Sequence, residues 1–199
     1  IPLGIWDSTW IEAHINPAIL DADVTTAVDL NTQTATAFVQ IQAEDGADEM
    51  QLVLLSPGGS AVAQKTLDCR GCQTLCTNMI LDNPLLWYPV GMGEPHCYRL
   101  VIRLMKKESL TDEKQITIGF KSVQLIMHEG AWEEPNEIPT TRNTPPAQIE
   151  INGKRPFVKG TNLVPLDIFP GNITDETYER LVDNAREIGV NLFRVWGGG

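Results

Sequence analysis

Ala35-Thr36-Ala37-Phe38-Val39-Gln40-Ile41-Gln42-Ala43 decides the fold class. Its odd positions are apolar, and its even positions, Phe38 apart, are polar. A side-chain period of two puts the odd set on one face of a strand, so this stretch predicts a strand with one buried face. The pattern extends in both directions. Val24, Thr26, Val28 and Leu30 share one parity upstream; Met50, Leu52 and Leu54 share one downstream. Pro57-Gly58-Gly59-Ser60 is a turn cluster that returns the chain onto Ala61–Leu67. Further strands are predicted near Cys72–Ile80, through Tyr98, Leu100, Ile102 and Leu104, and over Gln115–Phe120 and Lys121–Met127. Lys106–Lys114 reads as a charged turn. About seven or eight short strands over roughly 115 residues, with no helical period among them, suit an immunoglobulin-like β-sandwich, although the Cys…Trp…Cys spacing of antibody domains is missing.

Two other textures follow. Pro135, Pro139, Pro145 and Pro146 stand among Glu129, Glu133, Glu134 and Glu137. Prolines at that density remove backbone donors, so residues 129–148 are expected to be an acidic linker or a tail along a surface. Next, Ile149–Ile151 and Arg155–Val158 flank Asn152-Gly153, a strong hairpin signal. Thr174 is placed to cap a helix whose first turn holds Asp175 and Glu176. Tyr178, Leu181, Val182, Ala185 and Ile188 recur on one helical face, and Gly189 is the left-handed stop. Val190–Trp196 reads as a single strand buried on both faces. A helix feeding such a strand opens an α/β domain, and a (β/α)8 barrel takes about 250 residues. Residues 149–199 are therefore expected to be the front edge of a larger domain. Their orphan strand is expected to pack on the sandwich or on another copy of the chain, a route to self-association.

The 199 residues are 42% hydrophobic and 21% charged, an ordinary globular composition. A net charge of −11 repels phosphate backbones and anionic lipid, so neither nucleic acid nor a membrane surface is an expected partner. Cys69, Cys72, Cys76 and Cys97 form a C-x2-C-x3-C run plus one, a spacing foreign to the common zinc modules; structural thiols, a local disulfide and a metal site all stay open. His14, His96 and His128 share no motif, and no glycine loop suits a phosphate, so no metal or cofactor is expected. Asn172-Ile173-Thr174 is a glycosylation sequon.

Five segments, in order, carry a family resemblance: Gly4-Ile5-Trp6 with Trp10-Ile11; Asn83-Pro84-Leu85-Leu86-Trp87-Tyr88-Pro89-Val90-Gly91-Met92-Gly93; Ile118-Gly119-Phe120-Lys121-Ser122-Val123; Ile151-Asn152-Gly153 through Gly160-Thr161-Asn162; and Asn191-Leu192-Phe193-Arg194-Val195-Trp196-Gly197-Gly198-Gly199. In these the chain resembles the middle of a family 2 glycoside hydrolase of the β-mannosidase type. It departs from that pattern at Leu163, where Trp is usual, and at Tyr88, which replaces a second Trp. The resemblance implies the last strand of a jelly-roll sugar-binding domain over 1–11, the sandwich over 12–128, and the start of the catalytic barrel over 149–199, ending at its first strand.

The resemblance also implies retaining hydrolysis of terminal non-reducing β-mannosides. In that mechanism an acid/base glutamate and a nucleophilic glutamate stand about 5–5.5 Å apart. In the family both come from later strands, so no catalytic residue is expected in this chain, which alone should be inactive. Asn136-Glu137 is a decoy in the Pro-rich stretch. Arg194 is implied to lie beside the nucleophile, and Trp196 to give the sugar an apolar face. Asn162 and Asp167 complete the substrate-binding set, with loop capping as the other reading of each. Alternatives are another family 2 specificity, for galactoside, glucuronide or glucosaminide, and a non-catalytic carbohydrate-binding sandwich.

Overall fold

The computed structural model describes residues 4, 8–14, 17–129 and 147–196. The chain is mainly β, with eleven strands and one α-helix among the described residues. It divides into two compact units: His14–Tyr88 with Glu94–Pro156, and Ile1–Ala13 with Pro89–Gly93 and Phe157–Gly199.

The larger unit is an immunoglobulin-like sandwich. Its strands are β1 (Ile19–Asp29), β2 (Thr34–Ala43), β3 (Glu49–Leu55), β4 (Ala61–Asp68), β5 (Thr74–Asp82), β6 (Tyr98–Lys106) and β7 (Ser109–Ile118). One sheet has the order β1-β2-β5 and the other β4-β3-β6-β7, every pair antiparallel. The fourth strand stays beside the third, whereas constant-type immunoglobulin domains put it with the fifth.

The alternation of β2 has its predicted outcome. Ala35, Ala37, Val39, Ile41 and Ala43 are buried, while Phe38 on the opposite parity is 49% exposed. Met50, Leu52 and Leu54 of β3 and Leu100, Ile102 and Leu104 of β6 are wholly buried in the same core. Sheets pack about 10 Å apart, so small residues on β2 leave room for long ones opposite. Tyr98 meets Phe120 edge-on at 5.0 Å. The sandwich edges are laced by polar contacts. Asp112 Oδ2 accepts from Ile19 N at 2.8 Å, and Lys65 Nζ donates to Asn78 O at 3.2 Å. Such contacts occupy edge groups that would otherwise recruit another strand.

Three local expectations are corrected. Lys106–Lys114 is not a turn: the turn is Lys107-Glu108, both at positive φ, and β7 already begins at Ser109. Two residues at positive φ suit the right-handed twist of a hairpin, and the polar run beyond them is an edge strand facing water. Cys72 lies outside β5, which starts at Thr74. Asn152-Gly153 does make a tight turn, with Ile151 and Lys154 exchanging backbone bonds of 2.8 and 2.9 Å, but Arg155–Val158 forms no strand. Pro156 has no N–H to continue that ladder. The strand before the turn, β9 (Ala147–Ile151), pairs instead with β8 (Val123–Met127), so Ala147 and Gln148 of the Pro-rich stretch are strand. Residues 130–146, including Trp132, Glu133, Glu134 and the Asn136-Glu137 pair, lie outside the described residues.

The segments of the sandwich that carry the family resemblance converge on one knot. An ideal Cβ on Gly119 would stand 3.1–3.3 Å from Trp87 side-chain atoms, so glycine lets this indole approach closely where a methyl would press on it. Lys121 Nζ sits 4.2 Å over the Trp87 ring. Asn152, 8% exposed at φ 51°, accepts from Ser122 N at 2.8 Å and donates to Trp87 O at 3.0 Å. These residues hold packing together and offer no reacting group.

The smaller unit contains β10 (Gly160–Leu163), a 3-10 turn (Pro170–Asn172), α1 (Asp175–Glu187) and β11 (Leu192–Val195). Thr174 takes the N-cap position in extended conformation without capping an N–H; its hydroxyl lies 3.3 Å from that of Thr177, and its proximity holds the Glu176 carboxyl below the usual carboxylate range. The helix ends as predicted. Gly189 at φ 77° lets its own N–H reach Arg186 O at 3.0 Å and Val190 N–H reach Ala185 O at 2.9 Å, a Schellman closure. Of the apolar helix face, Ala185 is buried while Tyr178, Val182 and Ile188 are 44–79% exposed.

Candidate functional site

The site forms where two parallel strands end. β10 pairs with β11 in parallel, with Gly160 opposite Leu192, Thr161 opposite Phe193, Asn162 opposite Arg194 and Leu163 opposite Val195. This corrects the lone-strand expectation: Val190–Trp196 supplies the second strand of a β-α-β unit. The first strand has no periodic signal, because Gly160-Thr161-Asn162-Leu163 is too short and polar to alternate. Nor is β11 buried on both faces here, since Arg194, Val195 and Trp196 are exposed.

Asn191 fixes the register. Its Oδ1 accepts from Lys159 N at 2.9 Å, its Nδ2 donates to Phe157 O at 3.1 Å, and its own N–H donates to Lys159 O at 2.9 Å. One amide thus clamps the chain leading into β10 just before the pairing begins. The signal was present in the sequence as one polar residue at the head of an apolar run. Gly160 contributes by close approach, since an ideal Cβ there would lie 3.1 Å from Leu192 Cδ2 and 3.3 Å from Leu192 O.

This register brings two of the four expected site residues together. Arg194 Nη1 donates to Asn162 Oδ1 at 3.3 Å. With one lone pair of the amide oxygen engaged by the guanidinium, the pair keeps N–H donors to offer: the Asn162 amide nitrogen and the rest of the Arg194 fork. Such a set suits carboxylate or hydroxyl oxygens. Trp196 follows at the strand end, and its backbone N–H donates to Leu163 O at 3.0 Å, extending the ladder past β11. Its side chain is 49% exposed. Asp167 lies in the loop after β10 and accepts from Phe169 N at 2.8 Å, which organises that loop.

The adjacent carboxylates Glu44 and Asp45 brace loops. Glu44 Oε2 accepts from Ala18 N at 3.3 Å, and Asp45 Oδ2 accepts from Gln73 Nε2 at 3.1 Å. Among the described residues no three His, Cys, Asp or Glu side chains are grouped to hold a metal ion.

The profile of the glycosyl hydrolases family 2 matches residues 5–121. A "probable beta-mannosidase" of Caenorhabditis elegans is 32% identical over 139 residues, 69% of this chain and 14% of that protein. Beta-mannosidase B of Aspergillus flavus is 28% identical over 199 residues, 98% of this chain and 22% of that protein. Among solved structures, the apo β-glucuronidase 3 of Bacteroides uniformis aligns at TM-score 0.68 and 17% identity, over 89% of this chain and 20% of its own. The Parabacteroides merdae β-glucuronidase with glycerol in its active site aligns at TM-score 0.70 and 16% identity, over 90% and 21%. Similarity at that identity speaks for the fold. The chain spans 14–22% of the length of these sequence relatives.

Proposed function

Because the chain belongs to glycosyl hydrolase family 2, we propose that it joins an inter-domain sandwich to the start of the catalytic barrel in a retaining exo-β-glycosidase. The sequence relatives named β-mannosidase make terminal non-reducing β-mannosides the substrate of choice. The observation that carries this reading is the Arg194–Asn162 pair at the C-terminal ends of two parallel strands. That end of a barrel is where its chemistry is sited.

In this reading each residue has a definite task. Arg194 directs its remaining N–H groups at the nucleophilic carboxylate and keeps it ionised, since a guanidinium lowers a neighbouring carboxyl pKa. Asn162 holds the guanidinium in plane and offers its amide nitrogen to a sugar hydroxyl. Trp196 gives the pyranose an apolar wall. Asp167 shapes the loop that bounds the site. The glutamate that protonates the leaving oxygen and the one that attacks the anomeric carbon come from polypeptide beyond this chain, and the chain alone is inactive.

The test is aryl β-mannoside hydrolysis by the complete gene product and by the 199-residue chain. Turnover is expected from the first and none from the second. Arg194→Ala in the complete protein should lower kcat by about 10²-fold or more, as removal of a preorganised donor does. Turnover by the isolated chain, or an Arg194→Ala protein of unchanged kcat, would overturn the assignment. Preference for an aryl β-glucuronide, galactoside or glucosaminide would keep the family and replace the sugar, as the Leu163 departure allows.

A further inference from the structure

The C-x2-C-x3-C run has no task in the glycosidase reading. We propose that Cys69 and Cys72 are a redox modification site: glutathione disulfide converts them to an intramolecular disulfide across the turn that connects β4 to β5. Cys69-Arg70-Gly71-Cys72 is a β-turn. Cys72 N–H donates to Cys69 O at 3.1 Å, and Gly71 takes φ 70° at the third position. The first and last Cα atoms of a β-turn lie within about 7 Å, and a disulfide spans Cα separations of about 4.4–6.8 Å. The turn is held on both sides. Cys69 N–H donates to Asp48 O at 3.1 Å, and Asp68 pairs with Arg70 through backbone and guanidinium. All four cysteines are free thiols here.

The remaining thiols are out of reach. Cys76 lies within β5, in register with Gln40 of β2, whereas Cys69 follows the end of β4 in the opposite sheet. Cys97 sits at the far end of the four-stranded sheet. Asp68 registers through Glu49 with Met105, whereas Cys97 precedes Tyr98 at the opposite end of β6. That is roughly 23 Å of strand.

The chemistry balances with glutathione disulfide as oxidant. The exposed Cys72 thiolate attacks one of its sulfurs, forming a mixed disulfide and releasing a glutathione thiolate. The Cys69 thiolate then attacks the Cys72 sulfur and releases the second. The two protein thiols give up two protons and two electrons, and glutathione disulfide becomes two glutathiones. Cys69 is only 4% exposed, and burial together with Asp68 and Asp48 pushes its thiol pKa up. The closing step is therefore slow at neutral pH and quickens as pH rises.

The experiment is thiol titration with dithiobis(nitrobenzoate) before and after incubation in a glutathione-disulfide buffer, with intact-mass measurement. Before oxidation, Cys72, Cys76 and Cys97 should react in the folded chain and Cys69 only on unfolding. Afterwards neither Cys69 nor Cys72 should react, folded or unfolded, and peptide mapping should show the two joined and lighter by two hydrogens, while exposed Cys76 and Cys97 stay free or carry one glutathione each. The Cys76→Ser/Cys97→Ser variant should lose both remaining thiols, and Cys69→Ser should stop at a glutathione adduct on Cys72. An adduct on Cys72 in the unaltered chain with Cys69 still titratable, or a bridge through Cys76 or Cys97, overturns the proposal.

Discussion

Asn152→Ala tests the knot under Trp87 most directly. The substitution removes two side-chain bonds, to Ser122 N at 2.8 Å and to Trp87 O at 3.0 Å, at a position 8% exposed. Leaving a buried backbone partner unsatisfied costs about 1–3 kcal/mol. Holding alanine at φ 51° costs about 1–2 kcal/mol more. Water reaching one of the two freed groups offsets part of this, so the expected loss is about 2–4 kcal/mol. Asn152→Gly separates the two causes. It loses the same bonds but accepts positive φ, so it should fall short of Asn152→Ala by about 1 kcal/mol. Urea unfolding followed by far-UV circular dichroism gives the difference in midpoint at constant slope. Hydrogen exchange at the Ser122 amide should accelerate in both variants. A loss under about 0.5 kcal/mol for Asn152→Ala, or an unchanged Ser122 amide, would refute the idea that this side chain ties the turn to the sandwich.

Other outcomes follow from the same geometry. Gly119→Ala forces a methyl to within 3.1–3.3 Å of Trp87 and should cost about 1–3 kcal/mol, with a shift in indole emission. Asn191→Ala frees Lys159 N and Phe157 O, so hydrogen exchange over residues 160–163 should quicken while the sandwich amides keep their protection. The Arg70 guanidinium, then the Arg70 backbone N–H, hold the Asp68 carboxyl at about 2 against an ordinary 3.8. A depressed folded pKa stabilises above the unfolded value and ceases to do so as pH falls from 3.8 toward 2. Asp68→Asn should remove that acid-side decline from the urea midpoint, by a small amount because the pair is fully exposed.

The strands of the sandwich were legible because their signal is local. Ala35 to Ala43, Met50 to Leu54 and Tyr98 to Leu104 each alternate within a single strand, and water alone decides which face is buried. The helix was legible from its face and from Gly189, and the family from five short segments. Of the site, Arg194, Asn162, Trp196 and Asp167 came through the resemblance, without any indication of which would meet. The errors also share a cause. A strand of polar residues at a sheet edge, such as Ser109–Lys114, carries no burial pattern because only one side of it needs one. Four residues such as Gly160–Leu163 are too few to show a period.

Tertiary structure alone decided who pairs with whom. Ile149–Ile151 finds β8 and not Arg155–Val158, since a ladder needs donors that Pro156 lacks. Asn162 stands opposite Arg194 because Asn191, nearly thirty residues along from it, clamps the register. Hydrophobic alternation is written residue by residue along the chain. Hydrogen-bond pairing is a choice among distant partners, settled only when the competing backbone groups are brought together and one arrangement satisfies them all.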